Sequence, residues 1–242
     1  MKQQVYFEEI SHKSYAEVWD YQEALLQQKV AAKRAAAGNG TGIADAVHPH
    51  HLLFAHHAPV FTLGKNGKAE HVLLSAAQLA EKGIEYFHIN RGGDITYHGP
   101  GQLVGYPILD LEKFKTDLGW YLRSLEEVFI VTLAEYGLQG ERSAGETGVW
   151  LDPLVEGKER KICALGIRCS RWVTMHGFAF NVNTDLRYFD YIIPCGIQNK
   201  QVTSLEKELG RPVPMEEVAE KVKRNFEQIF DVTLLQPVSP ER

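Results

Sequence analysis

The amino-acid sequence predicts a single α+β domain. Short apolar runs typical of strands alternate with amphipathic stretches typical of helices along all 242 residues. Neither a shift in composition nor an internal repeat divides the chain, so residues 1–242 are expected to fold as one domain. A hydrophobic content of 44% is enough to bury a sizeable core in a chain of this length.

Charge and cysteine content exclude several functional classes. The 31 acidic and 26 basic residues give a net charge of −5, which is not typical of a nucleic-acid-binding protein. Three cysteines without the spacing of a disulfide framework indicate a reducing compartment, and no apolar run approaches a signal core or membrane span. We therefore expect a cytoplasmic protein that works without a membrane.

Capping residues and apolar spacing predict the helices. Ser14 and Glu17 form a capping box, and Gly38 can end the helix that they begin. The clearest apolar stripe lies within residues 116–136, where leucines and Phe129 recur at steps of three and four. The other helices are predicted to begin at Ser75 with Gln78, at Thr203 with Glu206, and at Pro214, the last one ending at Phe230.

Apolar runs bounded by turn residues predict the strands. In the first half these are residues 4–10, two runs within 51–63 that we expect to pair, 84–89 and 103–111. In the second half, residues 148–151, 161–169 and 172–182 predict a meander. Residues 38–50 and 186–198 are expected to be irregular. The spacing of His48, His50, His51, His56 and His57 fits no familiar metal-ligand pattern.

The segment Arg91-Gly-Gly-Asp-Ile-Thr-Tyr-His-Gly-Pro-Gly-Gln is the strongest candidate for a ligand-binding wall. Glycine allows unusual dihedral angles and close approach of a ligand to the backbone. Arg91 adds a planar cation, and His98 adds a group that titrates near neutrality. The alternative is an ordinary hairpin turn between two strands.

The three cysteines differ in their surroundings. Cys163 and Cys169 lie in one predicted strand, six residues apart and on the same face, where a thiol usually behaves as a small hydrophobe. Cys195 lies in an apolar loop between Pro194 and Gly196, which leaves room beside the sulfur. From these residues alone, Cys195 is either a nucleophile or a structural thiol.

A nucleophilic thiol needs a group that favours the thiolate. Lys161, His98 and His176 are the candidates. Lys161 begins an apolar strand, so it is either solvated at the strand edge or turned inward, where it could exchange a proton with a thiol. His176 could equally be a satisfied core histidine. No Gly-x-x-x-x-Gly-Lys-Ser/Thr loop and no Gly-x-Ser-x-Gly elbow is present, so neither a bound nucleotide nor a serine nucleophile is indicated.

Five motifs in one order resemble the lipoyl(octanoyl) transferases of lipoate biosynthesis. They are the Arg91 segment, Gly148-Val-Trp, Lys161-Ile-Cys-Ala-Leu-Gly, His176-Gly and Pro194-Cys-Gly, and the likeness spans about residues 5–230. The resemblance implies the mixed α/β catalytic fold of biotin and lipoate protein ligases. It also implies that neither a metal nor any other cofactor is required.

The resemblance further implies an activity and a set of site residues. The family transfers octanoyl groups from octanoyl-acyl carrier protein to a lysine of lipoyl domains in 2-oxoacid dehydrogenases and of the glycine cleavage H protein. Cys195 matches the cysteine that carries the acyl thioester, and Lys161 matches the lysine that activates it. The residues that match the substrate-binding positions are Arg91, Gly92, Gly93, Asp94, Ile95, Thr96, Tyr97, His98, Ala164, Leu165, Gly166, Gly177, Phe178 and Ala179.

Some features remain open at this point. Asp94 and Thr174 stand where the family often has other polar residues, and residues 38–50 resemble an insertion. The protein is expected to be a monomer. Acyl carrier proteins are acidic, so a basic patch is expected among Lys65, Lys68, Arg91, Arg168 and Arg171. The rival functions are an ATP-dependent lipoate or octanoate ligase and a non-catalytic acyl- or lipoyl-binding module.

Overall fold

Two β-sheets form the framework of the molecule. A computed structural model describes residues 2–38, 49–193 and 201–236. Within these residues, a large mixed sheet has the strand order β10-β8-β9-β6-β2-β1-β11, with β7 paired to β8. A small sheet has the order β4-β3-β5. No helix in this part of the chain has both the length and the apolar character needed to cross a membrane.

Most strands lie close to the positions that the apolar runs predicted. Those of the first half are β1 (Gln3–Ile10), β2 (His50–Ala55), β3 (Val60–Leu63), β4 (Glu85–His88), β5 (Ile95–His98) and β6 (Gln102–Ile108). Those of the second half are β7 (Val149–Leu151), β8 (Arg160–Ser170), β9 (Val173–Asn181), β10 (Gln201–Val202) and β11 (Val232–Leu235). The predicted meander is confirmed, because β7, β8 and β9 pair antiparallel in succession.

Four of the five α-helices in the described residues cover the two faces of the large sheet, and the short helix at residues 76–81 packs on the small sheet through Leu79. The five helices are α1 (Tyr15–Gly38), α2 (Ala76–Glu81), α3 (Leu118–Ala134), α4 (Leu205–Leu209) and α5 (Met215–Phe230). Helices α3 and α5 pack their apolar stripes on one face, around Phe129, Phe178 and Phe226. Helix α1 packs Leu26 and its neighbours on the other face. The predicted capping box of α1 is present, because Ser14 N donates to Glu17 Oε2 at 2.8 Å.

The predicted pairing of the two runs within residues 51–63 is wrong. Strand β2 lies between β1 and β6 in the large sheet, whereas β3 lies between β4 and β5 in the small one. Residues 56–59 carry the chain from one sheet to the other. Apolar alternation identifies a strand but not its partner, since the pairing is decided by tertiary packing.

Smaller differences have local causes. The helix predicted at Thr203 is capped one residue later, where the Ser204 side chain accepts from Lys207 N. Leu118 begins α3 but is 38% exposed, so the buried stripe starts at Tyr121. Strand β11 was not predicted, because its four residues become a strand only by pairing parallel with β1. Residues 39–48 lie outside the described part of the chain.

A buried ion pair fastens α1 to the end of the large sheet. Lys33 Nζ lies 2.7 Å from Asp110 Oδ1 and 3.0 Å from Glu112 Oε2, and it donates to Arg171 O at 2.9 Å. The side chains of Lys33 and Asp110 are only 9% and 10% exposed. Removing one partner from such a pair leaves an uncompensated charge away from water.

Lys33→Met should lower the free energy of unfolding by about 3 kcal/mol, because it removes the ammonium that lies 2.7 Å from the buried Asp110 carboxylate. Urea denaturation followed by circular dichroism measures this loss. Lys2→Met is the matched control, since Lys2 and Asp231 form a 3.2 Å pair with side chains 54% and 78% exposed. The control should change stability by less than about 1 kcal/mol. Equal losses in both variants would contradict the assignment.

Candidate active site

A cavity opens over the α1 face of the large sheet, between that sheet and the small one. The space within it is about 750 Å³, which includes open solvent at its mouth. Strands β5, β6, β8 and β9 supply most of its lining. Tyr15 from the start of α1 and residues 146–147 before β7 complete it.

Small side chains create the space over the sheet. Ala164, Ala179 and Val104 lie side by side on β8, β9 and β6, and a second row pairs Gly166 with Gly177. A Cβ on Gly177 would lie 2.3 Å from Gly105 O, so no larger residue fits there without a shift of the backbone. A floor of small apolar side chains and walls of backbone suit an aliphatic ligand.

The glycine-rich segment forms a wall and does not make the hairpin that was its alternative. Strands β5 and β6 belong to different sheets, so residues 99–101 carry the chain between sheets. Arg91 is 8% exposed and donates from Nη2 to Thr62 O at 2.6 Å, which ties the segment to β3. Gly92 N donates to Ile167 O at 2.8 Å, which ties it to β8. The wall is therefore held by both sheets.

Asp94 connects this wall to the segment that leads to Cys195. Its Oδ1 accepts from Ile95 N at 2.7 Å, and its Oδ2 lies 2.6 Å from His71 Nδ1. The carbonyl of His71 accepts from Ile193 N at 2.9 Å. The polar residue that departs from the family pattern thus contributes to local structure around the cavity.

Three buried histidines near the cavity are neutral at pH 7. Burial lowers the pKa of His98 and of His176 to about 3 and that of His57 to about 4. His98 Nδ1 donates to Gln102 Oε1 at 2.9 Å, and His176 Nε2 donates to Asn90 Oδ1 at 2.9 Å. Both are satisfied core histidines that also line the cavity, so neither supplies a positive charge to a thiol.

Lys161 lies at the mouth of the cavity, with its side chain 20% exposed. Its ammonium is 4.6 Å from the centre of the Trp150 ring and 4.0 Å from Glu146 Oε2. The side chain of Lys161 therefore lines the cavity and remains partly exposed to water. Among the described residues, the cavity is lined by one arginine, Arg91, and one lysine, Lys161.

A buried carboxylate positions the strand beside Lys161. Glu126 is fully buried in α3, where its Oε1 accepts from Gly148 N at 3.0 Å and its Oε2 binds Arg123 and Arg142 at 2.6 and 3.1 Å. Gly148 has φ +107°, and a Cβ there would lie 2.5 Å from Cys163 O. Only glycine allows β7 to pack this closely against β8. Trp150 is thereby held opposite Lys161.

Cys195 lies outside the described residues, as do the other residues of 194–200. The chain on each side is anchored near the cavity. Before the gap, Ile192 bridges to Val72 and Ile193 bonds to His71. After it, Val202 pairs with Lys161 along β8.

The other two cysteines behave as packing residues. Cys163 is fully buried in the core, and burial raises the pKa of its thiol well above the usual range. Cys169 is half-buried, and burial also raises the pKa of its thiol. The prediction that Cys163 is a small hydrophobe is confirmed.

Most of the predicted wall residues line the cavity, and two do not. Gly92 bonds to β8, and Tyr97 faces the core of the small sheet, where its ring stacks on Tyr188 at 4.6 Å. Sequence reasoning missed Tyr15, Val104, Tyr106, Glu146 and Thr147. Their residue types are common in cores and surfaces, so only their position marks them.

The residues of the predicted basic patch lie in different environments in the structure. Arg91 is buried in the cavity wall, and Arg168 pairs with Glu23 at 2.5 Å. Lys65 and Lys68 are exposed beside the cavity wall, since Lys65 N bonds to Arg91 O. Thr174 lies in the core, where its hydroxyl donates to Pro107 O at 2.8 Å.

Solved structures share the fold. A bipartite lipoate protein ligase from Thermoplasma acidophilum is similar with a TM-score of 0.69 at 17% identity, over 99% of this chain and 88% of that one. A lipoate-protein ligase A bound with ATP gives a TM-score of 0.68 at 16% identity, over 100% and 90%. The predicted α+β fold of the lipoate protein ligases is therefore confirmed.

Sequence relatives define the family. Residues 14–227 match the lipoyl protein ligase A/B catalytic domain. An octanoyltransferase of Flavobacterium psychrophilum is 54% identical over 243 residues, which cover 97% of this chain and 100% of that protein. One from Christiangramia forsetii is 54% identical over 238 residues, covering 97% and 99%. The chain belongs to the lipoyl protein ligase A/B catalytic-domain family and, within it, to the octanoyltransferases, which are acyltransferase enzymes.

Proposed function

We propose that this enzyme moves an octanoyl group from octanoyl-acyl carrier protein to a lysine of lipoyl domains, through a thioester on Cys195. The observation that carries the proposal is the position of Lys161. It lies at the mouth of an apolar-floored cavity and pairs through its backbone with the strand that follows the Cys195 segment. Relatives 54% identical to this chain are octanoyltransferases, which supports the choice of acyl group.

The first half-reaction forms the acyl-enzyme. Lys161 takes the proton from Cys195, and the resulting ammonium stabilises the thiolate. The thiolate attacks the carbonyl carbon of the carrier thioester, and backbone amides of the glycine-rich wall stabilise the oxyanion. The bond from carbon to the carrier sulfur breaks, and the carrier thiolate recovers the proton from Lys161.

The second half-reaction forms the amide. The acceptor lysine attacks the thioester as a neutral amine, and its excess proton passes through Lys161 to the departing Cys195 sulfur. The thioester is already activated relative to the amide, so no nucleotide is consumed. Burial lowers the pKa of His98 and His176 to about 3, so both are weak bases, and Lys161 is the group proposed to carry the proton.

Charge at the cavity mouth bears on both partners. The exposed Lys65 and Lys68 lie on the loop that pairs with the Arg91 segment and suit an acidic carrier protein. The Glu146 carboxylate lines the cavity and suits the ammonium of an arriving acceptor lysine, which gives up one proton to water before it attacks as the neutral amine. We propose that donor and acceptor use this mouth in turn, as a ping-pong reaction requires.

Cys195→Ala should abolish the covalent intermediate. Intact-mass measurement after mixing wild-type enzyme with octanoyl-acyl carrier protein should show one added octanoyl group per chain. Cys195→Ala should show none and should lose at least about 10³-fold in turnover. Cys169→Ala is the matched control, because it removes a half-buried thiol and should keep the added mass.

Two results would overturn this mechanism. One is no added mass on the wild type, as expected of a non-catalytic acyl-binding module. The other is full activity of Cys195→Ser with octanoate and ATP, as expected of a ligase that needs no nucleophilic cysteine.

Lys161→Ala should raise the pKa of the Cys195 thiol toward about 8.5, because the ammonium that favours the thiolate is gone. The rate of alkylation against pH in a Cys169→Ala background measures this pKa. Lys161→Arg should keep the thiol acidic yet lose transfer, since a guanidinium does not release a proton near neutral pH. Lys158→Ala, at an exposed lysine in the preceding turn, is the control. An unchanged alkylation profile in Lys161→Ala would remove its assigned role.

A further inference from the structure

We propose that Val104, Tyr106 and Tyr15 form the end wall of the cavity and set the length of the acyl chain that the enzyme accepts. This inference rests on the proposed function, because it assumes that the cavity holds the acyl group. The three side chains line the cavity together but come from β6 and from the start of α1.

A gradient of burial shows which end is closed. At the mouth, Thr147 is exposed, while Lys161 and Ala164 are partly exposed. Ala179 on the next strand is 4% exposed, and Val104 beyond it is 1% exposed. The cavity therefore runs inward from β8 across β9 and ends over β6.

The width of this floor matches an eight-carbon chain. Neighbouring strands are about 4.8 Å apart, so the distance from β8 through β9 to β6 is roughly 10 Å. The seven C–C bonds of an octanoyl group, each about 1.5 Å, span roughly 9 Å as an extended zigzag. A chain whose thioester lies at the mouth would bring its terminal methyl group to the end wall.

Val104 is the first bulky residue on its row of the floor. The row reads Ala164, Ala179, Val104 and Ala55 across four adjacent strands. Ala55, directly behind Val104, is fully buried and small. Truncating Val104 should therefore extend the floor toward Ala55.

The two tyrosines of the end wall are held by contacts with buried histidines. The Tyr106 hydroxyl lies 2.7 Å from His57 Nε2, and both residues are buried. The Tyr15 ring packs 5.1 Å from His57 and stacks on His98 with an interplanar angle of 10°. A wall braced on several sides resists displacement, so it can discriminate by length.

Competition among hexanoyl-, octanoyl- and decanoyl-acyl carrier protein tests the proposal. Val104→Ala should raise kcat/KM for decanoyl relative to octanoyl by up to roughly 16-fold, since decanoyl has two more methylenes and each buried methylene is worth about fourfold. Val104→Leu should lower kcat/KM for octanoyl relative to hexanoyl by about fourfold. These ratios are measured within one protein, so a loss of stability does not mimic them.

Val222→Ala is the matched control. It removes the same two methyl groups from a fully buried position, but on α5 and on the opposite face of the sheet. Its chain-length ratios should equal those of the wild type. Octanoyl transfer with unchanged ratios in both Val104 variants would overturn this inference alone. Failure of the wild type to transfer any of the three chains would instead overturn the proposed function.

Discussion

The cavity exists because several neighbouring residues on one face of the large sheet have very small side chains. Ala164 and Ala179 make one row, and Gly166 and Gly177 make the next. Elsewhere on this face the space is filled by α1 and its partners such as Met175. Protein interiors are packed as densely as crystals of small organic molecules. A cavity therefore persists only where the side chains are small and the surrounding walls do not collapse into the space. Here the walls are braced by Arg91 and by buried aromatic rings.

Burial also decides which groups can carry charge. Desolvation lowers the pKa of His98 and His176, so these residues contribute shape and hydrogen bonds to the cavity at neutral pH. Arg91 is always charged and is tied to the backbone of β3. Lys161 differs from all of them because it lies near water at the mouth. The fold thus separates neutral, hydrogen-bonded histidines in the interior from a lysine side chain at the rim.

The sequence predicted the elements better than their arrangement. The cap at Ser14 and the stripe around Phe129 depend on local spacing, which a single sequence records. The separation of β2 and β3 into two sheets depends on partners that are distant in the chain. A single sequence does not record these pairings. Lys161 was identifiable because a cation is unusual in an apolar strand. Val104 carried no such signal, because a valine in a central strand is the commonest of core residues.

The fold alone does not distinguish a transferase from a ligase, since lipoate protein ligases share it at 17% identity. The distinction therefore comes from the sequence relatives, which are octanoyltransferases. Residues 194–200 are flanked by Ile193, bonded to the small-sheet side through His71, and by Val202, paired with Lys161. Both flanks of the segment that carries Cys195 are therefore bonded to residues beside the cavity.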